Sequence, residues 1–193
     1  MPKWLAPVLI GFAVAALISF LLVFAAQAAG AKPDWTTYLP GFVFGVIAAY
    51  AANNLTGNRR VRDADAATRA AALSFTPDAA HARLYLVRTG LVGLAAGMNV
   101  DLDGRDITQL KSPRFASLPI APGAHVVRAG FGGGLSWQTN AAELAFDAHA
   151  GELIALHLKL HMGALKNSAR IERVAIATLQ DQLRQMRMVA VDV

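Results

Sequence analysis

The sequence predicts a membrane-anchored, mainly β protein: two N-terminal transmembrane helices, then a small antiparallel β-sandwich with a C-terminal helix. Three observations predict it. Two apolar segments, residues 4–30 and 38–54, open the chain and hold much of an apolar content that reaches 55% of 193 residues. From residue 82 the texture changes to short alternating runs separated by turn dipeptides. Residues 178–188 then return to helical spacing, with Leu179, Leu183 and Met186 on one face. The expected divisions are a helical hairpin over 1–57, a helical linker at the membrane surface over 58–81, and the sandwich with its helix over 82–193.

The first segment is uncharged from Leu5 to Ala26, and about 20 apolar residues cross a bilayer core as a helix. A secretory signal is the rival reading, since Ala26, Gln27 and Ala28 resemble a cleavage site. The run is longer than the usual signal core, and a second apolar segment follows almost at once, so an uncleaved helix is expected. In that second segment Gly41, Gly45 and Ala49 recur every four residues. Small residues at this spacing let two backbones approach closely within lipid. Gly11, Ala15 and Ser19 repeat the spacing in the first segment. The partner is therefore either that segment or a helix of another protein.

Pro33 starts the short connection, and Trp35 and Tyr38 suit an interfacial aromatic belt. Arg59, Arg60 and Arg62 follow the second segment and Lys3 precedes the first, whereas Lys32 in the connection is offset by Asp34. Positive-inside logic puts both ends in the cytoplasm, with the hairpin in a bacterial inner membrane. Net charge is +5, and 16 of the 18 basic residues lie beyond residue 57 with 12 of the 13 acids. That mild surplus suits a surface near anionic lipid. It argues against nucleic acid, because the basic residues are dispersed and little aromatic surface accompanies them. The chain has no cysteine, which excludes disulfides, thiol catalysis and sulfur-ligated zinc.

The alanine-rich, mixed-charge stretch 59–75 is expected to be helical, with its arginines near lipid phosphates. Strands are then expected over 82–88, 98–102 with a return through Ile107 and Leu110, 114–120, 124–131, 142–148, 152–161 and 171–179. Residues 90–97 and 129–137 are rich in glycine and read as loops. In 152–161, Ile154, Leu156, Leu158 and Leu160 face one way, and His157, Lys159 and His161 the other.

The stretch "YLVR", the hairpin around Leu102, Asp103 and Gly104, the run "LPIAPGAH" and the "AGEL" turn at Gly151 and Glu152 together resemble the bacterial DUF2846 family and, more loosely, PEGA-type β modules. The resemblance covers residues 82–162. It implies a β-sandwich, with Asp103 and Gly104 at one turn and Pro122 and Gly123 opening a later strand. It implies no activity, because its motifs are turn signatures.

Residues 99–104 begin as a calcium loop does, with Asn99, Asp101 and Asp103 ahead of Gly104. Position twelve of such a loop needs a bidentate glutamate and here is Leu110, so a hairpin turn is expected instead. His157 and His161 are spaced like helical metal ligands, but four residues on a strand span about 13 Å. The glycine run at 130–134 lacks the ending of a phosphate-binding loop. No cofactor, metal or catalytic group is expected. The chain reads as a non-catalytic accessory subunit of a larger membrane assembly. Its helix face of Gly11, Ala15, Gly41, Gly45 and Ala49 would meet integral membrane subunits, and Leu91, Leu94, Phe131 and Trp137 would offer loops to a partner. A homo-oligomeric scaffold and a small-ligand sensor or enzyme using the His157, Lys159 and His161 face are the alternatives.

Overall fold

The computed structural model describes residue 2, residues 4–163 and residues 166–192. Lys3, one of the charges used above for topology, lies outside them. The chain divides into two compact units, Met1–Thr56 and Gly57–Val193.

The first unit is a pair of helices, α1 (Leu5–Ala28) and α2 (Trp35–Asn54). Both are long and apolar enough to cross a membrane. At 1.5 Å per residue, 24 and 20 residues give about 36 and 30 Å, the thickness of a hydrocarbon core. The second helix starts three residues earlier than the apolar run. Asp34 explains the extension: its carboxylate accepts from the Thr36 and Thr37 N–H groups at 3.0 and 3.3 Å. The Thr37 hydroxyl in turn accepts from the Asp34 N–H at 3.2 Å, closing a capping box that orders the first turn.

The second unit begins with an extended segment, residues 57–65, and the short α3 (Ala66–Leu73). Among the described residues ten strands and a last helix follow: β1 (Ala82–Arg88), β2 (Met98–Leu102), β3 (Arg105–Leu110), β4 (Arg114–Ile120), β5 (Gly123–Phe131), β6 (Thr139–Asn140), β7 (Ala142–Ala148), β8 (Leu153–His161), β9 (Asn167–Val174), α4 (Gln180–Gln185) and β10 (Arg187–Met188). Two sheets form, in the orders β10-β4-β1-β8-β9-β6 and β3-β2-β5-β7. The four-stranded sheet is antiparallel. The six-stranded sheet is mixed, because β1 runs parallel to β8, β10 to β4 and β6 to β9. The purely antiparallel sandwich expected from turn spacing is corrected here. A sequence shows which segments are strands, but their neighbours are set by long connections that carry no local signal.

Leu84, Leu86, Leu156 and Leu158 of the six-stranded sheet and Val100, Val127 and Phe131 of the other belong to one buried core. The outer face of the larger sheet carries a second core: Tyr85, Val87, Phe115 and Ala155 with Leu179, Leu183 and Met186 from the α4 region. Consequently β1 is buried on both faces. The expected face of Leu179, Leu183 and Met186 is buried as a unit.

The stretch 59–75 departs from its expected single helix. Only Ala66–Leu73 is helical, capped by Asp65, whose carboxylate accepts from the Thr68 N–H at 2.8 Å. Residues 61–64 are extended instead. The Ala190 N–H donates to the Arg62 carbonyl at 2.9 Å, the Ala64 N–H donates to the Met188 carbonyl at 3.0 Å, and Asp63 bridges Val189. Tertiary pairing decides the path of Val61 to Ala64, while the alanines that follow Asp65 keep their helix. The helix that does form lies against the second core, where the Tyr85 hydroxyl donates to the Ala72 carbonyl at 2.7 Å. The strand expected over 171–179 likewise ends at Val174 and gives way to a 3-10 turn, Ile176–Thr178.

Candidate functional site

The two-residue turn between β2 and β3 places Asp103 and Gly104 at φ of +52° and +79°, a type I′ geometry that only glycine and small polar residues accept readily. This tight turn leaves no twelve-residue loop to wrap a cation. The Asp103 carboxylate instead accepts from the Val126 N–H at 2.9 Å and pairs with His125 Nδ1 at 2.7 Å. Burial pulls the His125 imidazole down, but its bonds to the Ala121 carbonyl and to Asp103 outweigh this and hold its pKa above the usual value.

The opposite end of the β unit gathers four connections. Residues 89–97 follow β1, 111–113 follow β3, 132–138 follow β5, and 57–60 lead into the unit. Asn58 ties the first and last of these: its amide donates to the Ala95 carbonyl at 2.8 Å and accepts from the Gly97 N–H at 2.6 Å. Gly57 lies so close to the Gly132 backbone that a Cβ would overlap it. The Ser112 hydroxyl donates to the Gly90 carbonyl at 2.8 Å.

At the root of this end lies Arg88, which is 1% exposed. Its guanidinium donates to the carbonyls of Ala96, Leu110 (2.5 Å) and Gly93 (2.8 Å), and its carbon lies 5.1 Å from the centre of the Phe131 ring. No carboxylate faces it among the described residues, and burial lowers its pKa to about 10. A buried cation is tolerated where its N–H groups are satisfied, as these are by the three carbonyls. Arg88 thereby fixes the path of 90–97, which is a loop with a buried anchor. On that loop Leu91 is 85% and Leu94 44% exposed, and Trp137 on the neighbouring connection is 65% exposed. Phe131, grouped with them from sequence, is corrected: it is 8% exposed and packs in the main core beneath Arg88. Its place at the end of a strand turns the ring inward.

Beside the loop is a basic pocket of about 180 Å³, lined by Arg59, Arg60, Val61, Gln109, Lys111 and Arg114. Gln109 is the hub. Its amide donates to the Gly57 carbonyl at 2.8 Å and to Asn99 Oδ1 at 2.6 Å, and its oxygen accepts from the Arg59 N–H at 2.9 Å. Arg59 is engaged in a two-pronged pair with Asp106, one prong at 2.6 Å. Among the described residues no carboxylate lies within ion-pair distance of Arg60, Lys111 or Arg114. Arg59 and Arg60 were singled out from sequence as following the second helix. Lys111 and Arg114 were not, since they arrive from about 50 residues away and share no motif with them. Arg62 is exposed and does not line the pocket.

The polar residues of β8 do not converge. His157 is hydrogen-bonded to the Thr89 hydroxyl at 2.6 Å, and burial followed by the nearby Lys159 charge lowers its pKa. Lys159 donates to Glu172 at 2.7 Å, and His161 is exposed at the strand end. In the helix pair, by contrast, the small residues meet. A Cβ on Gly11 would lie 2.6 Å from Ala49 Cβ, and one on Gly45 would lie 2.7 Å from Ala15 Cβ. Gly41 is placed against Ser19 and the Ala15 carbonyl in the same way. On one side of this seam Val8, Phe12, Phe42 and Val46 border an apolar groove of about 260 Å³.

No family model matches the chain, and no curated protein matches it.

Proposed function

We propose that the protein is a membrane-anchored accessory subunit that binds other proteins and catalyses nothing. Its two helices span a bacterial inner membrane and its β unit works in the cytoplasm. The observation that carries this reading is the Arg88-anchored loop: Leu91 and Leu94 are held outward at the cost of burying a cation. Apolar side chains presented on a fixed scaffold are the usual mark of a binding surface. The helix pair supports the same reading. Its small residues are consumed in packing α1 on α2, so the outward Phe12, Phe20, Phe42 and Phe44 are free to face lipid or the helices of other subunits. The DUF2846 likeness of residues 82–162 belongs to this proposal as a reading of the β unit's ancestry and adds no activity.

A homo-oligomeric scaffold is the lesser reading, because the Gly41 and Gly45 face that would join copies is already covered by α1. The test is purification of the full chain from native membranes in mild detergent. A stoichiometric second polypeptide is expected, lost when Leu91→Asp and Leu94→Asp are combined. A lone monomer from the unaltered chain would overturn the proposal, and digestion of the β unit by protease added outside intact cells would overturn its cytoplasmic placement.

A further inference from the structure

The basic pocket has a surplus of three positive charges once Asp106 is set against Arg59. Like charges repel, so three unpaired cations converging on one small concavity destabilise the unit unless an anion joins them. The pocket's size suits one phosphate group, and guanidinium and ammonium donors suit its oxygens. Two features indicate where that phosphate comes from. Arg59 and Arg60 follow Asn54, the last residue of α2, by five and six positions in the sequence. Ser112, between Lys111 and Arg114 in the sequence, also ties the exposed apolar loop by donating to the Gly90 carbonyl. A cationic concavity next to outward leucines is the composition of an interfacial lipid site, where the charge meets the head group and the leucines meet the acyl boundary.

We propose that Arg60, Lys111 and Arg114 form a binding site for the phosphate of an anionic phospholipid, such as phosphatidylglycerol, with Leu91 entering the acyl boundary beside it. The inference rests on the membrane-anchored reading. Arg59, held by Asp106 and by Gln109, shapes the wall of the site, and the other three cations supply its charge.

The experiment is native mass spectrometry of the full chain in mild detergent, doped with phosphatidylglycerol or with phosphatidylcholine. Preferential retention of phosphatidylglycerol is expected, weakened about a hundredfold by R60Q/K111Q/R114Q, roughly fivefold for each charge removed. The charge-keeping R60K/K111R/R114K should retain the lipid. Equal retention by the neutralised variant overturns the proposal. So does displacement of the lipid by inorganic phosphate at comparable concentration, which would make this a site for free phosphate. Should the triple variant misfold by circular dichroism, the exposed single R60Q carries the test, with a fivefold loss expected and no loss overturning it. Alkaline extraction of native membranes separates the two readings. Release of the chain into the supernatant sinks the anchor, while lipid retention in detergent still scores the pocket.

Discussion

The helix pair and the β unit solve packing in opposite ways. In the helix pair, glycines are buried and aromatic rings are outside: Gly11 and Gly45 lie at the seam while Phe12 is 74% exposed. In the β unit, Phe115 is fully buried and the exposed residues are mostly polar or small. The inversion follows from the solvent each unit implies. Water drives large apolar side chains inward, at roughly 25 cal/mol per Å². Lipid tails provide no such drive, so close backbone approach through small residues is what holds helices together there. Within the β unit the 90–97 loop departs from this pattern with exposed Leu91 and Leu94, as does Trp137 on the neighbouring connection.

The contrast is sharpest for two phenylalanines. Phe115→Ala should cost the β unit about 3–5 kcal/mol, a buried aromatic lost to a cavity. Phe12→Ala should leave stability in detergent unchanged. Denaturant titration of both variants measures the difference, and equal losses would mean that α1 buries its outer face in protein. Next in size is Arg88→Met, which removes the guanidinium donors from the Gly93, Ala96 and Leu110 carbonyls. A loss of about 3 kcal/mol is expected, with faster amide exchange confined to 90–97. Unchanged exchange there would show that the loop holds its path without Arg88.

Gly45→Leu forces a branched side chain against Ala15 and the Gly11 carbonyl. Overpacking of this kind costs about 1–3 kcal/mol. Cleavage at a protease site placed in 29–34 should leave the α1 peptide bound to the unaltered protein and release it from the variant. Retention in both would move the true helix interface elsewhere. The smallest effect expected is pH dependence from Asp103 and His125, whose side chains are 46% and 12% exposed, so solvent screens the pair. The imidazole's raised pKa means its contribution is full below its unfolded value near 6.5 and is lost as pH rises through the higher folded value. The carboxylate's lowered pKa, burial being outweighed by the Val126 N–H and His125, means its contribution is present above about 3.8 and lost as pH falls through a lower value. The pair therefore stabilises the turn between those limits, and His125→Gln should flatten the melting-temperature profile across that window.

Much of this was legible residue by residue. The apolar runs marked both helices, Asp103 and Gly104 marked their hairpin, and Leu179, Leu183 and Met186 marked the buried face of the last helix. What misled was equally particular. The alanines and arginines of 59–75 favour a helix locally, yet Arg62, Asp63 and Ala64 pair with residues 188–190. The alternation in 82–88 marked β1 as a strand, but that α4 packs on one of its faces was not visible there. Phe131 stood beside a glycine loop and was read as exposed, yet strand alternation turns it inward. In the basic pocket, Arg59 and Arg60 were visible because they follow an apolar segment. Lys111 and Arg114 were invisible, because nothing in their own neighbourhood announces where β3 ends in space.

Sequence alone determined the periodicities: which segments are long and apolar, which alternate, and where a backbone must turn. These are local quantities, set by side-chain volume, polarity and φ preference within a few residues. Tertiary structure alone decided that β1 runs beside β8, that Arg88 is buried against three carbonyls, and that cations from residues 60, 111 and 114 share one pocket. Those outcomes depend on contacts between distant segments, whose free energy exists only once the chain has closed on itself.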